Sequence, residues 1–117
     1  MSISSIDAAI LAHKAWVVRF QTAIQGTSRE SFDLGSARND GICTLGRWLN
    51  SPESQQVLDP EQHRIICELH RNFHEVAGDL AERINRHDAL DEIELLFAEF
   101  GLLSRRLIDQ LRLARRR

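Results

Sequence analysis

Between Asp59 and Arg86 the apolar residues Ile66, Leu69, Phe73, Val76, Leu80 and Ile84 recur every three or four positions. Only one side of an α-helix can present such a spacing to a core. Asp59-Pro60 opens the segment with a cap residue followed by proline at the first helical position, so a long helix is expected from there to about Arg86. The same periodicity appears twice more. Near the start it runs through Ile3, Ile6, Ile10, Val17, Phe20 and Ile24, with His13 filling the one slot in that series that no apolar residue takes. After Asp88, which can cap a last helix, it runs through Leu90, Ile93, Leu96, Phe97, Phe100, Leu103, Leu107 and Leu111. The arginines at 112, 115, 116 and 117 suit the negative end of that helix dipole.

Composition agrees with three long helices. The chain holds only 2 Pro and 6 Gly, no Tyr, and many Leu, Ala, Arg and Glu, which favour helix. The stretch from Gly26 to Gly41 carries three glycines and several serines, which predicts a loop with at most one helical turn near Phe32. Asp40 is a candidate N-cap for a short helix through Trp48, with Cys43 in its first turn and Asn50-Ser51-Pro52 ending it. The expected fold is therefore all-α, an antiparallel four-helix bundle of three long helices and one short one, in which facing helices can converge on a buried site. At 117 residues with 43% hydrophobic content, one domain over residues 1–117 can bury a core without disulfides.

The net charge of −2 is too near neutral to argue for a nucleic-acid surface, so no nucleic-acid partner is expected. No signal peptide, transit segment or apolar run of membrane length is present, so a soluble cytoplasmic protein is expected. In that setting Cys43 and Cys67 are read as reduced thiols or metal ligands rather than a disulfide.

The residues that carry chemistry fall in three short motifs: His13-Lys14-Ala15-Trp16, Cys43-Thr44-Leu45-Gly46-Arg47-Trp48-Leu49 and His70-Arg71-Asn72-Phe73-His74. Three imidazole nitrogens and one thiolate are a donor set for tetrahedral Zn²⁺. Each residue alone has a plainer reading: His13 as a hydrogen-bonded core histidine, His70 and His74 as polar residues at i and i+4 on one helix face. Yet Leu69 and Phe73 draw that face inward, and desolvating several histidines separately would cost about 1–3 kcal/mol each. The same helix also carries His63 and Cys67. Seven residues span about 10.5 Å of helix axis, so no ion can be held by that helix alone. A cross-helix site using His63 and Cys67 stays open on periodicity.

In their order and spacing, the HxxW, CxLGxWL and HxxFH motifs resemble the chemoreceptor zinc-binding domain family, known as CZB. That family occurs in bacterial chemoreceptors and as a sensory module of some diguanylate cyclases. The resemblance covers essentially the whole chain. It implies zinc ligands at His13, Cys43, His70 and His74, packing roles for Trp16, Leu45, Gly46, Trp48 and Phe73, a four-helix bundle that dimerises, one zinc per subunit, and control of a signalling output. His63 and Cys67 fall outside its motifs and are expected to be spectators with His87. The sequence carries neither a cyclase catalytic segment nor the long heptad hairpin of a chemoreceptor, so it is expected to be either a stand-alone member acting on a separate signalling protein or the sensory portion of a longer one, with its opening at Met1 favouring the N-terminal or stand-alone arrangement.

A closed Cys/His₃ shell leaves no position for water or substrate, which argues against a zinc hydrolase and for a protein that is not an enzyme. The Glu-x-x-His pairs of a di-iron bundle are missing, since Glu61-Gln62-His63 and Glu68-Leu69-His70 have the wrong spacing. Cys43, in a first helical turn and against a cation, is expected to be a thiolate and oxidisable. Asp40 can reach a ligand imidazole as an acceptor, though capping explains it equally well. The resemblance adds two triggers, zinc availability and oxidation of this cysteine, with the short Cys43 helix as the moving part. The other reading is a helical protein in which zinc only stabilises the fold. Finally, Leu95, Leu102, Ile108 and Leu113 make the last helix apolar on more than one face, which predicts a homodimer with the first helix as second contributor.

Overall fold

The computed structural model describes residues 5–26, 31–39, 41 and 43–115. Among them the regular structure is entirely helical: α1 (Ser5–Ile24), α2 (Leu34–Arg38), α3 (Thr44–Leu49), α4 (Pro52–Val57), α5 (Pro60–Asn85) and α6 (Leu90–Arg115). The three long helices are those the periodicity predicts. The expectation of one short helix is corrected to three.

The two extra helices have local causes. Asp33 caps α2 by accepting the Gly35 amide at 3.1 Å, so the turn foreseen near Phe32 becomes a five-residue helix. Pro52, read from sequence as a terminator, also sits at the first position of α4, where its fixed φ and missing N–H suit a helix start. In α3, Cys43 is the N-cap itself rather than a first-turn residue, and its sulfur accepts the Gly46 amide at 3.4 Å. Asp40, the expected cap, lies outside the described residues, as do Ile3, Ile42, Arg116 and Arg117.

Helix α5 opens as expected, with the Asp59 carboxylate accepting the Gln62 amide at 2.8 Å. It closes in a Schellman turn: the Asp88 amide donates to the Arg83 carbonyl at 3.0 Å and the His87 amide to that of Ile84 at 3.1 Å. His87 takes the left-handed position, φ 57°, that glycine usually fills. Asp88 does not cap α6; its carboxylate faces Arg86 at 2.8 Å and Arg83 at 3.9 Å, while the Ala89 carbonyl accepts the first helical bond, from Ile93.

Residues 86–89 fold α6 back antiparallel on α5. Helix α1 packs against both. Its His13 meets Phe73, and its Phe20 meets Phe32, whose amide is held by Asn85 at the far end of α5; α1 therefore runs in the same sense as α5, and the expected antiparallel arrangement is corrected to one in which only α6 opposes its two long neighbours. Where the three helices meet, the buried rings of Phe20, Phe73 and Phe100 pack together, Phe20 edge-to-face on Phe100 with centroids 5.1 Å apart and Phe73 tilted against Phe100 at 4.6 Å. Each such ring contributes about 1.5–3 kcal/mol of burial free energy. Ile108, expected on an outer face, belongs to this core. Leu95, Leu102 and Leu113 remain exposed as expected, Leu95 at 76%. No described helix is long and apolar enough to cross a membrane.

Candidate metal centre

Beside the aromatic core, α1 and α5 turn three imidazoles toward one another, all within 1% exposure: His13, His70 and His74. His13 lies on the buried stripe of α1 with Ile6, Ile10 and Phe20. On α5 the i, i+4 spacing sets His70 and His74 on one face, their rings edge-to-face with centroids 4.6 Å apart. The fourth donor comes from the start of α3, where the half-buried Cys43 sulfur stands 3.0 Å from Nε2 of His70. One donor atom from each of the four residues lies within 4.8 Å of the other three. Among the described residues, these are the donors that gather closely enough for a single ion.

Backbone carbonyls set the tautomers. His13 donates from Nδ1 to the Ala9 carbonyl at 2.6 Å, and His74 from Nδ1 to the Ala37 carbonyl at 2.8 Å. Each imidazole thereby keeps the Nε2 lone pair for the cluster, the arrangement that metal-ligating histidines use. Nε2 of His13 is buried without a hydrogen-bond partner, a cost that a metal bond would remove. Burial lowers the pKa of His13 to about 4 against the pull of its Ala9 hydrogen bond, with His74 lowering it further. Burial likewise lowers His70 to about 3, helped by His74 and His13. Both are neutral at pH 7, as ligands must be. Three imidazole nitrogens on buried side chains and one half-buried sulfur, mutually close, fit tetrahedral zinc.

The rival pair is placed elsewhere. His63 donates from Nε2 to the Leu49 carbonyl at 2.8 Å, at the far end of α3, and Cys67 lies 3.7 Å from the His63 ring. Neither joins the cluster. The structure thus brings together all four residues singled out from the motifs and separates them from His63, Cys67 and the exposed His87. Sequence reasoning missed the two carbonyls. Ala9 stands four residues before His13 and was open to a helical-spacing argument; no local signal links Ala37 to His74. The proposed role of Asp40 at the ligands falls outside the described residues.

An all-α scaffold with three buried histidines and one half-buried cysteine clustered between its helices defines a small metal-binding helical protein. Residues 13–81 match the family of the chemoreceptor zinc-binding domain (CZB), more than half of the chain, beginning at the ligand candidate His13. The chain belongs to that family, whose domains are regulatory and zinc-binding. No curated protein and no solved structure matches it significantly.

Proposed function

We propose that the chain is a zinc-dependent sensory module of bacterial signalling, one domain holding a single Zn²⁺ through His13, Cys43, His70 and His74 and reporting changes at that site to a signalling output of the chemoreceptor or diguanylate cyclase type. The observation that carries this reading is the unequal mounting of the four donors. Three stand on the long helices α1 and α5, whereas Cys43 caps the six-residue α3. A helix that short is not stable by itself. It is held by the buried side chains of Leu45, Trp48 and Leu49, by His63 on its last carbonyl, and by whatever Cys43 binds. When bound, zinc supplies a cation that keeps the thiolate in place. Losing the bond between zinc and this sulfur, through zinc depletion or oxidation of the thiolate, frees one end of α3 while α1, α5 and α6 stay packed.

A sensor and a purely structural site differ in what zinc removal does. Chelation is expected to leave the α1/α5/α6 core folded, with a lowered melting temperature and faster amide exchange confined to α3; complete unfolding on chelation would favour the structural reading. Oxidant added to the zinc protein is expected to release zinc from the wild type and not from Cys43→Asp, which keeps an anionic ligand without the sulfur. Equal release from both would refute a thiol switch.

The partner in the first instance is a second copy. Leu11 and Val18 on α1 and Leu95 and Leu102 on α6 are exposed at seven-residue spacing, with Leu113 beyond them. Exposed apolar residues repeated along two neighbouring helices make a face suited to a two-fold interface. Light scattering at micromolar concentration is expected to give twice the chain mass, and Leu95→Glu with Leu102→Glu a monomer that still binds zinc. A clean monomer for the wild type would refute the interface.

A further inference from the structure

We infer that Arg38, lying across Gly78, is a positioning residue for His74: it locks α2 onto α5 so that the Ala37 carbonyl holds this imidazole in its zinc-binding orientation. The inference rests on His74 being a zinc ligand. It starts from α2, which has five residues and no intrinsic stability, yet supplies a buried carbonyl to a donor 37 positions away at 2.8 Å. Something outside α2 has to keep Ala37 there. Next to Ala37, the Arg38 guanidinium bridges two carboxylates of α5, Nη1 to Asp79 at 2.9 Å and Nη2 to Glu82 at 2.8 Å. Asp79 and Glu82 are three apart and share a face, so one planar fork can engage both.

Gly78 explains how the arginine gets there. A Cβ at position 78 would stand 2.0 Å from Cγ of Arg38, the stem of the side chain rather than its mobile end. Gly78 lies well inside the 26-residue α5, where glycine costs about 1 kcal/mol against alanine, and its φ is not positive. The left-handed conformations that glycine permits are therefore not what this position uses; the missing side chain is. The two ion pairs are each about half exposed, so their contribution to global stability is small. Their effect is on placement. A carbonyl that orients a ligand imidazole acts on metal affinity by roughly 10- to 100-fold.

The test is a double-mutant cycle read by zinc affinity, measured by competition with a chromogenic chelator, and by the visible absorption of the cobalt-substituted protein. Arg38→Ala is expected to weaken zinc about tenfold and to shift the cobalt bands. Arg38→Lys should recover part of both. Gly78→Ala, although it favours the helix, should weaken zinc comparably because its Cβ displaces the arginine. The double variant should be no weaker than Arg38→Ala alone, since the added methyl then meets no stem. An Arg38→Ala protein with wild-type affinity and cobalt spectrum overturns the proposal, as do effects of the two substitutions that simply add. A wild type that binds no zinc defeats the ligand assignment itself, a separate failure visible in the control. Should Arg38→Ala fold poorly, Asp79→Asn with Glu82→Gln removes the same clamp from the other side and is held to the same result.

Discussion

Replacing His13, Cys43, His70 or His74 singly by alanine is expected to leave a chain that emerges from gel filtration without stoichiometric zinc, while His63→Ala and Cys67→Ala keep one ion per chain. Binding of structural zinc by a complete four-donor set is worth roughly 10–16 kcal/mol at neutral pH, so one donor in four accounts for about 3 kcal/mol, a loss of hundreds-fold in affinity. His63 is committed to the Leu49 carbonyl and Cys67 to the neighbourhood of the His63 ring, which is why their removal should spare the ion. Elemental analysis of purified variants decides it. Full occupancy in His13→Ala or His74→Ala, or loss in Cys67→Ala, would overturn the ligand set.

The zinc-free protein should be strongly acid-labile. In the fold, burial holds His13 at about 4 and His70 at about 3, whereas in the unfolded chain both titrate near 6.5. Below pH 6.5 the unfolded state therefore binds more protons than the folded one, and stability rises with pH. This contribution is fully present above about 6.5 and falls as the pH drops toward 4. Each site loses about 1.4 kcal/mol per pH unit in that window. For two sites the total reaches several kcal/mol, comparable with the roughly 5–15 kcal/mol stability of a typical domain. Denaturant melts of the chelated protein between pH 7.5 and 4 should show that slope, and replacing His13 by leucine should flatten it. A stability independent of pH across this range would mean that the imidazoles are not buried neutral in solution.

Both expectations stand on features of unequal legibility. The long helices were readable because their causes are local. Asp59-Pro60 marks the start of α5 within a residue, and the three- and four-residue apolar spacing marks the face each helix buries. His13 could be placed inside because it occupies a slot in such a series. The short helices are less readable: Asn50-Ser51-Pro52 carries an end signal and a start signal on the same three residues, and the first masks the second. Spacing along one helix puts Ile108 on an outer face, but what covers it depends on how α1 lies against α6.

The sequence by itself therefore determined the helical class, the span of each long helix and, through three motifs, the donor types and the family. Tertiary structure alone decided which donors meet. Cys43 approaches His70 across 27 positions, the Ala37 carbonyl reaches His74 across 37, and Arg38 spans 41 to Asp79. Such distances are set by how α2 docks on α5 and α3 on α1 and α5, with Ala37, Leu45 and Trp48 buried and room left at Gly78. Backbone preferences act over a few residues and can specify a helix and its apolar face. They carry no information about which turn of one helix will lie against which turn of another, because that choice is made by packing and polar satisfaction after the helices meet.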